Sequence, residues 1–390
     1  MDRDISPPPP KRRRLSPPPG NKTSPLPTAK PSTPVHLIEP TSCNIETPSV
    51  GSNSSSPLRI FAWNVNGIAP FLQKPITSYF LSPKATAKPI KPQASLRNFL
   101  SRHNWPHVLF LQEVKIARSD TKTQAAVQRA IISSSPSDTG PEYKAFFTLP
   151  NDPHNARGLG GEGKVYGVCS IIRSDFHDSH ISRIRSVEWD QEGRVNVVET
   201  NDKLAIWNIY AVNGTSNPYR NPKTGEVAGT RHDRKLAFHR LLAEECITME
   251  KQGWKNILAG DFNVAPARID GHPNLRTWPE QHAINRADFN WRFFGVGHTE
   301  RPDDPSLHGV DVFRRMKGLD RRYTYHPPGR DWGTSCDRVD LVIASKQMIE
   351  EKYVRESGIL DTPEERGTSD HVPIWVEVVV GMDVTRPESK

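Results

Sequence analysis

In six places an apolar, strand-like run meets side chains that can bind, protonate or coordinate: Asn64, Glu113, Tyr210 with Asn213, Asp261 with Asn263, Asp340, and Asp370 with His371. The sharpest is residues 256–264, where the run 257–259 stops at Gly260 and Asp261 and Asn263 follow two residues apart. A period of two puts both on one face of a strand. A carboxylate and a carboxamide at the end of a core strand lose hydration unless they meet a metal, a ligand or each other. Taken singly, each cluster has a plain structural use: a turn cap at Asn64, a surface acid at Glu113, a core aromatic with a wet tip at Tyr210, a satisfied core histidine at His371. Six in order along one chain point instead to strand ends converging on one pocket.

Together these groups have the parts for hydrolysing a phosphodiester. Glu113 with other carboxylates offers hard oxygen ligands to Mg2+, for which Mn2+ can substitute, and such a cation polarises a phosphoryl oxygen and steadies the leaving alkoxide. His371 beside Asp340 makes an imidazole oriented by a carboxylate. Asp261 can orient or deprotonate the attacking water, while Asn263, Asn213 and Tyr210 can donate hydrogen bonds to the non-bridging oxygens. No P-loop and no G-x-S-x-G elbow is present, and no Ser or Cys has an activating neighbour motif, so no covalent nucleophile is expected.

The strands that must position these groups read as buried runs at residues 58–63, 108–111, 165–172, 194–198, 204–213, 257–259, 337–344 and 372–380, with helices at 94–102, 123–133, 233–251 and within 278–294. On helix 233–251 the expected core positions are Leu236, Phe238, Leu241, Leu242 and Ile247, and its charges are expected on a solvated face. Residues 73–93 read as an inserted surface loop, 157–163 as a glycine-dense loop and 214–230 as a long turn-rich loop. Of the 36 prolines, 14 precede Leu58, in a segment too poor in apolar runs to offset its ordering entropy. We therefore expect a disordered tail at 1–57, one catalytic domain at 58–380 and a short C-terminal tail at 381–390. Within the first tail, Lys11, Arg12, Arg13 and Arg14 form a proline-flanked basic cluster that fits a nuclear import signal.

The net charge of +8 leaves about +5 on the domain, since the tail carries seven Lys/Arg against four Asp/Glu, and a basic domain is compatible with a polyanionic partner. Cys43, Cys169, Cys246 and Cys336 show no paired or metal-ligand spacing and read as free thiols of a reducing compartment. No apolar stretch approaches the ~18 residues needed to span a membrane, so no membrane association is expected.

Four ordered motifs resemble those of the exonuclease III type of apurinic/apyrimidinic endonuclease, within the endonuclease/exonuclease/phosphatase superfamily. They are Trp63-Asn64-Val65-Asn66-Gly67, Leu111-Gln112-Glu113-Val114-Lys115, Gly260 to Pro266 with Ile269-Asp270, and Ser369-Asp370-His371-Val372-Pro373. Asp190-Gln191-Glu192-Gly193-Arg194 and Arg338-Val339-Asp340 add to the likeness. It implies an α/β, four-layer sandwich of two mixed β-sheets flanked by helices. It also implies a monomeric nuclear DNA-repair hydrolase of base excision repair that cuts double-stranded DNA 5′ to abasic sites with Mg2+, with side activity on blocked 3′ ends. By that likeness His371 and Asp340 are the catalytic dyad. Asp261, Asn263 and Tyr210 join them in catalysis, and Asn64, Asn213 and Arg194 bind substrate. Glu113 is the principal metal ligand with Asp370 near it, and Asn66, Asp261 and Asn263 complete the candidates, although the family usually has an acid where Asn66 stands.

Two further departures bear on selectivity. Asp337 stands where an aromatic residue normally walls the abasic pocket, and Val339 replaces a bulkier aliphatic. The pocket is therefore expected to be wider and more polar unless Tyr325 or Trp332 fills the space. The loop after Asn213 is longer than is typical. Alternative readings are another phosphodiesterase of the superfamily, such as a tyrosyl-DNA phosphodiesterase or an RNA nuclease, and a nucleic-acid-binding module that has lost catalysis.

Overall fold

Alternation along β1 (Leu58–Asn64) shows how the layers are built. Leu58, Ile60 and Ala62 enter a core shared by the two large sheets, whereas Phe61 and Trp63 point the other way, into a core capped by helices. The computed structural model describes residues 57–72, 95–133, 136–156, 166–297 and 304–379. The basic cluster Lys11 to Arg14, the 73–93 insertion, the 157–163 loop and residues 381–390 lie outside the described residues.

After β1 come α1 (Ala69–Leu72), α2 (Leu96–Arg102), β2 (Val108–Gln112), α3 (Thr121–Ile131), β3 (Tyr143–Thr148), β4 (Val168–Arg173), α4 (Ser174–His180), β5 (Ile181–Ser186), β6 (Val195–Thr200) and β7 (Leu204–Tyr210). The hairpin of β8 (Pro218–Arg220) and β9 (Val227–Thr230) leads into α5 (Arg231–Lys251) and β10 (Lys255–Asp261). A 3-10 turn, Arg268–Asp270, precedes β11 (Gly271–His272), α6 (Gln281–Phe294), β12 (Val310–Asp311) and α7 (Val312–Lys317). The chain then continues through β13 (Cys336–Asp337), β14 (Asp340–Ala344), α8 (Lys346–Glu350), β15 (Val354–Ile359), α9 (Pro363–Arg366) and β16 (Ile374–Val378).

One sheet has the order β15-β16-β1-β2-β4-β3 and the other β12-β14-β10-β7-β6-β5. Each holds one parallel pair, β1 with β2 and β7 with β10, among antiparallel neighbours. Both are thus mixed sheets, and helices cover their outer faces: α2 and α3 with Phe61, Trp63, Leu109 and Leu111, and α5 and α6 with Trp207, Leu258 and Ile343. This is the four-layer α/β sandwich.

Several elements depart from the expectations. The 214–230 stretch is not a plain loop, because β8 and β9 pair within it. The strand expected at 337–344 is split into β13 and β14, and the one expected at 204–213 ends at Tyr210. On α5 the buried stripe is Lys235, Phe238, His239, Leu242, Cys246 and Met249, with Leu236, Leu241 and Ile247 only partly covered. The charges of α5 therefore do not all sit on a solvated face. Thr230 and Asp233 form the capping box that starts this helix. Cys169, Cys246 and Cys336 are buried and free.

Gly260 sits in the middle of this frame with φ +141°, and a Cβ there would overlap the Ile209 carbonyl oxygen of β7 and crowd Gln112. Neither neighbour can retreat, since one is backbone and the other is held at 2.7 Å by Asn208. Gly260→Ala is therefore expected to destabilise the fold by about 2–4 kcal/mol. A denaturant midpoint lowered at unchanged slope is the expected measurement, and an unmoved midpoint would show that the parallel pair can spread to admit a methyl group.

Candidate active site

The alternation that builds the inter-sheet core also builds the site. Counting by twos from Ala62, Ile206, Ala259 and Val342 reaches Asn64, Tyr210, Asp261 and Asp340, all at one end of the layer between the sheets. In register, Asp261 stands opposite Tyr210 on one side and Asp340 on the other. Glu113 follows β2, and Asp370 with His371 precedes β16, which runs antiparallel to β1 and so begins at the same end. A cleft of about 680 Å³ opens there, and Asn64, Glu113, Tyr210, Asn213, Asp261, Asn263, Asp370 and His371 all line it.

The groups are tightly cross-linked. His371 Nδ1 lies 2.7 Å from Asp340 Oδ2, which leaves Nε2 as the other ring nitrogen. The dyad is set from behind: Thr324 Oγ1 accepts from the backbone N–H of both Val339 and Asp340, Ser369 Oγ accepts from the His371 N–H, and Trp63 donates to the His371 carbonyl. Asn64 Nδ2 is shared between Asp261 at 3.0 Å and Glu113 at 3.3 Å. Asp261 also accepts from the Asn263 backbone at 2.8 Å and from its side chain at 3.2 Å. Asn66, Glu113, Lys115 and Asn263 all hold positive φ, between 50° and 54°. For residues with a Cβ this costs on the order of 1 kcal/mol each, as happens where function dictates backbone shape.

Electrostatics divides the roles. Burial opposes charge on the His371 imidazole, yet Asp340 and then Asp261 outweigh it and hold its pKa up to about 10. At neutral pH this ring is an imidazolium, a donor at both nitrogens. Burial, and Asp340 beside it, push Asp261 up to about 7, where a carboxylate can take a proton and release it again. Burial raises Glu113, but Lys115 at 3.0 Å, with Tyr210 and Asn64, brings it below the usual carboxylate range. The Tyr210 phenol is pushed well up by burial and by Glu113, and stays protonated.

Asp261, Asp340 and His371 bring their ligating atoms within 4.8 Å of one another. Within this trio His371 Nδ1 is already engaged by Asp340 Oδ2, and Asp261 by Asn64 and Asn263. What fits a cation is the unmet acceptor charge. Asp340 Oδ1 and Asp370 Oδ1 are buried with no donor, and Glu113 supplies a further carboxylate in the same cleft. The donors are all oxygen, which suits a hard divalent ion.

Two expected site residues are placed differently. Arg194 is 2% exposed. Its guanidinium donates to Glu192 and to the Tyr210 and Ala211 carbonyls, and it packs against the Tyr166 and Tyr210 rings. Arg194 lines the cleft behind Tyr210 with most of its donors already engaged by the protein. Asn66 does not line the cleft, because Lys115 takes its side-chain oxygen and its carbonyl. Asn66 thus holds the lysine that pairs with Glu113. Asn213 is exposed on the cleft wall, as a substrate contact needs to be.

Three contributors escaped sequence reasoning. Lys235, buried on α5, donates to the Val212, Phe262 and Asn263 carbonyls at 2.9, 3.4 and 3.0 Å. Burial pushes its pKa down to about 7, while three acceptors, one per N–H, and Asp261 favour the charged form. Its signal was present, since it falls on the helical stripe of Phe238, Leu242 and Cys246. Thr324 has no such signal. Arg220, on the unexpected hairpin, lines the opposite wall. Tyr325 fills part of the pocket left open by Asp337 and Val339, its ring 5.1 Å from the His371 imidazole, whereas Trp332 stacks on His326 away from the cleft.

A family model described as the Endonuclease/Exonuclease/phosphatase family matches residues 61–371. No curated protein matches. Among solved structures, the chain resembles the catalytic domain of Xenopus laevis APE2, with TM-score 0.54 and 18% identity over 83% of this chain and 94% of that one. An AP endonuclease from Archaeoglobus fulgidus gives 0.53 and 18% over 83% and 100%. The 3′ phosphatase NExo from Neisseria, bound to a product DNA hairpin, gives 0.50 and 20% over 83% and 99%. At these identities the likeness is one of fold.

Proposed function

The chain belongs to the endonuclease/exonuclease/phosphatase family, and from that premise we propose that it is a DNA-repair phosphodiesterase of the exonuclease III type, cutting 5′ to abasic sites with Mg2+. The observation that carries this reading is the convergence of the His371–Asp340 pair, Asp261 and Glu113 in one cleft between the two sheets.

Asp261, raised to about 7 and oriented by Asn64 and Asn263, takes the proton of the attacking water. The water adds to phosphorus, the P–O3′ bond breaks, the leaving O3′ takes a proton from solvent, to which Asp261 later returns its own, and the products are a 3′-hydroxyl and a 5′-phosphate. His371, charged and fixed by Asp340, donates from Nε2 to the phosphoryl oxygen as negative charge builds there. Tyr210 and Asn213 add neutral donors, and Lys235 pins the backbone carrying Asn213 and Asn263. Glu113 and Asp370 would hold the Mg2+, whose charge offsets that of the phosphate and the leaving oxygen.

A second reading, action on blocked 3′ ends, is favoured by one feature. Asp337 faces Arg276 and Arg286 in the cleft, so this wall is polar where a bare abasic sugar needs an apolar one. Each lost apolar contact is worth on the order of 1 to 3 kcal/mol in discrimination. The test is a competition in Mg2+ among a duplex with one abasic analogue, an intact duplex, a 3′-recessed duplex, 3′- and 5′-phosphotyrosyl ends and single-stranded RNA. We expect the abasic duplex to be cut first and the 3′-recessed and 3′-blocked ends within about two orders of magnitude of it. Preference for the 5′-phosphotyrosyl or RNA substrate would overturn the reading.

A further inference from the structure

Between β11 and α6 the chain runs along the rim of the cleft, and it carries the most exposed aromatic side chain among the described residues: Trp278, 82% exposed. Leu275 and Arg276 line the cleft just before it, and His282, Asn285 and Arg286 just after. The segment is anchored at both ends. Gly271 pairs with Asp337 of the cleft wall, Arg286 Nη2 holds the Arg276 carbonyl at 2.6 Å, and the His282 N–H holds the Pro279 carbonyl at 2.9 Å. Trp278 is therefore presented on a fixed support, and its indole meets water unless something covers it. Arg276 and Arg286 line the cleft beside the loop, facing Asp337, and Arg268 is exposed on the turn before it.

An aromatic plate among arginines, beside a site for phosphodiester chemistry, suits a polynucleotide whose base has left the stack. The arginines meet its phosphates and the indole meets its face. We propose that Trp278 stacks on a nucleobase adjacent to the scissile phosphodiester and so positions an unstacked strand in the cleft. This rests on the reading of the site as a nucleic-acid phosphodiesterase. It adds a specificity contact that all bases can make, because every base has a π-face.

The test compares wild type, Trp278→Phe and Trp278→Ala on oligonucleotides whose scissile linkage cannot be hydrolysed, with 2-aminopurine placed in turn on either side of it. Wild type is expected to quench the probe at one position, and Trp278→Ala to abolish that quenching and weaken binding by roughly 5- to 100-fold. Trp278→Phe is expected to stay within about threefold of wild type, since it keeps an aromatic face. On cleavable substrate at saturation, kcat is expected to be unchanged in both variants while KM rises for Trp278→Ala. Equal affinity and equal quenching in wild type and Trp278→Ala would overturn the stacking contact, as would a fall in kcat at unchanged affinity; both leave the phosphodiesterase reading intact. A wild-type protein that neither binds nor cuts any oligonucleotide overturns both.

Discussion

His371→Asn is expected to lower kcat by about 10²- to 10⁴-fold while KM moves little. The imidazolium is made at this position by two carboxylates working against burial, so its charge is available to the phosphoryl oxygen as the transition state forms. Asp340→Asn removes the first of those carboxylates and the 2.7 Å hydrogen bond that fixes the ring, and is expected to cost a similar factor. The double variant should lose far less than the product of the two, because the pair acts as a unit. Losses that multiply would mean the two residues serve separate steps. Stability offers an independent check with a definite sign. His371 has its folded pKa raised from 6.5 to about 10, so its contribution is fully present below about pH 6.5 and is lost as pH rises toward 10. The difference in Tm between wild type and His371→Asn should accordingly be largest at the acid end of that window and shrink across it. A difference that grows with pH would mean the ring is buried neutral.

Glu113→Gln should be the other large effect. Its carboxylate is kept ionised by Lys115, Tyr210 and Asn64, and it faces the cleft that Asp370, with its unpartnered Oδ1, also lines. Removing its charge is expected to raise the Mg2+ concentration for half-maximal activity by about 10- to 100-fold and to lower the saturated rate as well. Exhaustive chelation should abolish turnover of the wild type, and Mn2+ should restore it. Wild-type rate and metal dependence in Glu113→Gln would remove Glu113 from the metal site, and activity that survives chelation would remove the metal itself.

How much of this was legible depended on where a residue lies in the sheets. β1, β2, β7 and β10 are central strands buried on both faces, so they read as apolar runs, and their polar ends stood out. β3, β5 and β15 lie at sheet edges or carry solvent-facing positions such as Arg183, Arg355 and Glu356. They have no continuous run, and none was anticipated. The catalytic candidates were visible because a charged or amide side chain at the end of a core strand is costly without a partner. Their supports were not. Thr324 comes from an irregular stretch with no period, and it acquires a role only because its hydroxyl accepts from the Val339 and Asp340 N–H groups beside the bridges of Tyr325 to Asp337 and His371. A sequence also does not show that Glu192 and two carbonyls engage the Arg194 guanidinium where it lines the cleft. Lys235 read as solvated because the stripe of α5 is turned about one residue from the one inferred.

The most direct measurement is the product chemistry of one turnover. A duplex bearing a single stable abasic analogue, labelled on the lesion strand, is mixed with excess protein in Mg2+ and in chelator, and the new ends are identified. Attack of water activated by Asp261 on a phosphate held by His371 gives one break 5′ to the lesion in Mg2+, with a 3′-hydroxyl on the upstream fragment and a 5′-phosphate on the lesion side, and no break in chelator. An uncut strand in Mg2+, or a break 3′ to the lesion that chelator leaves unaffected, would contradict it.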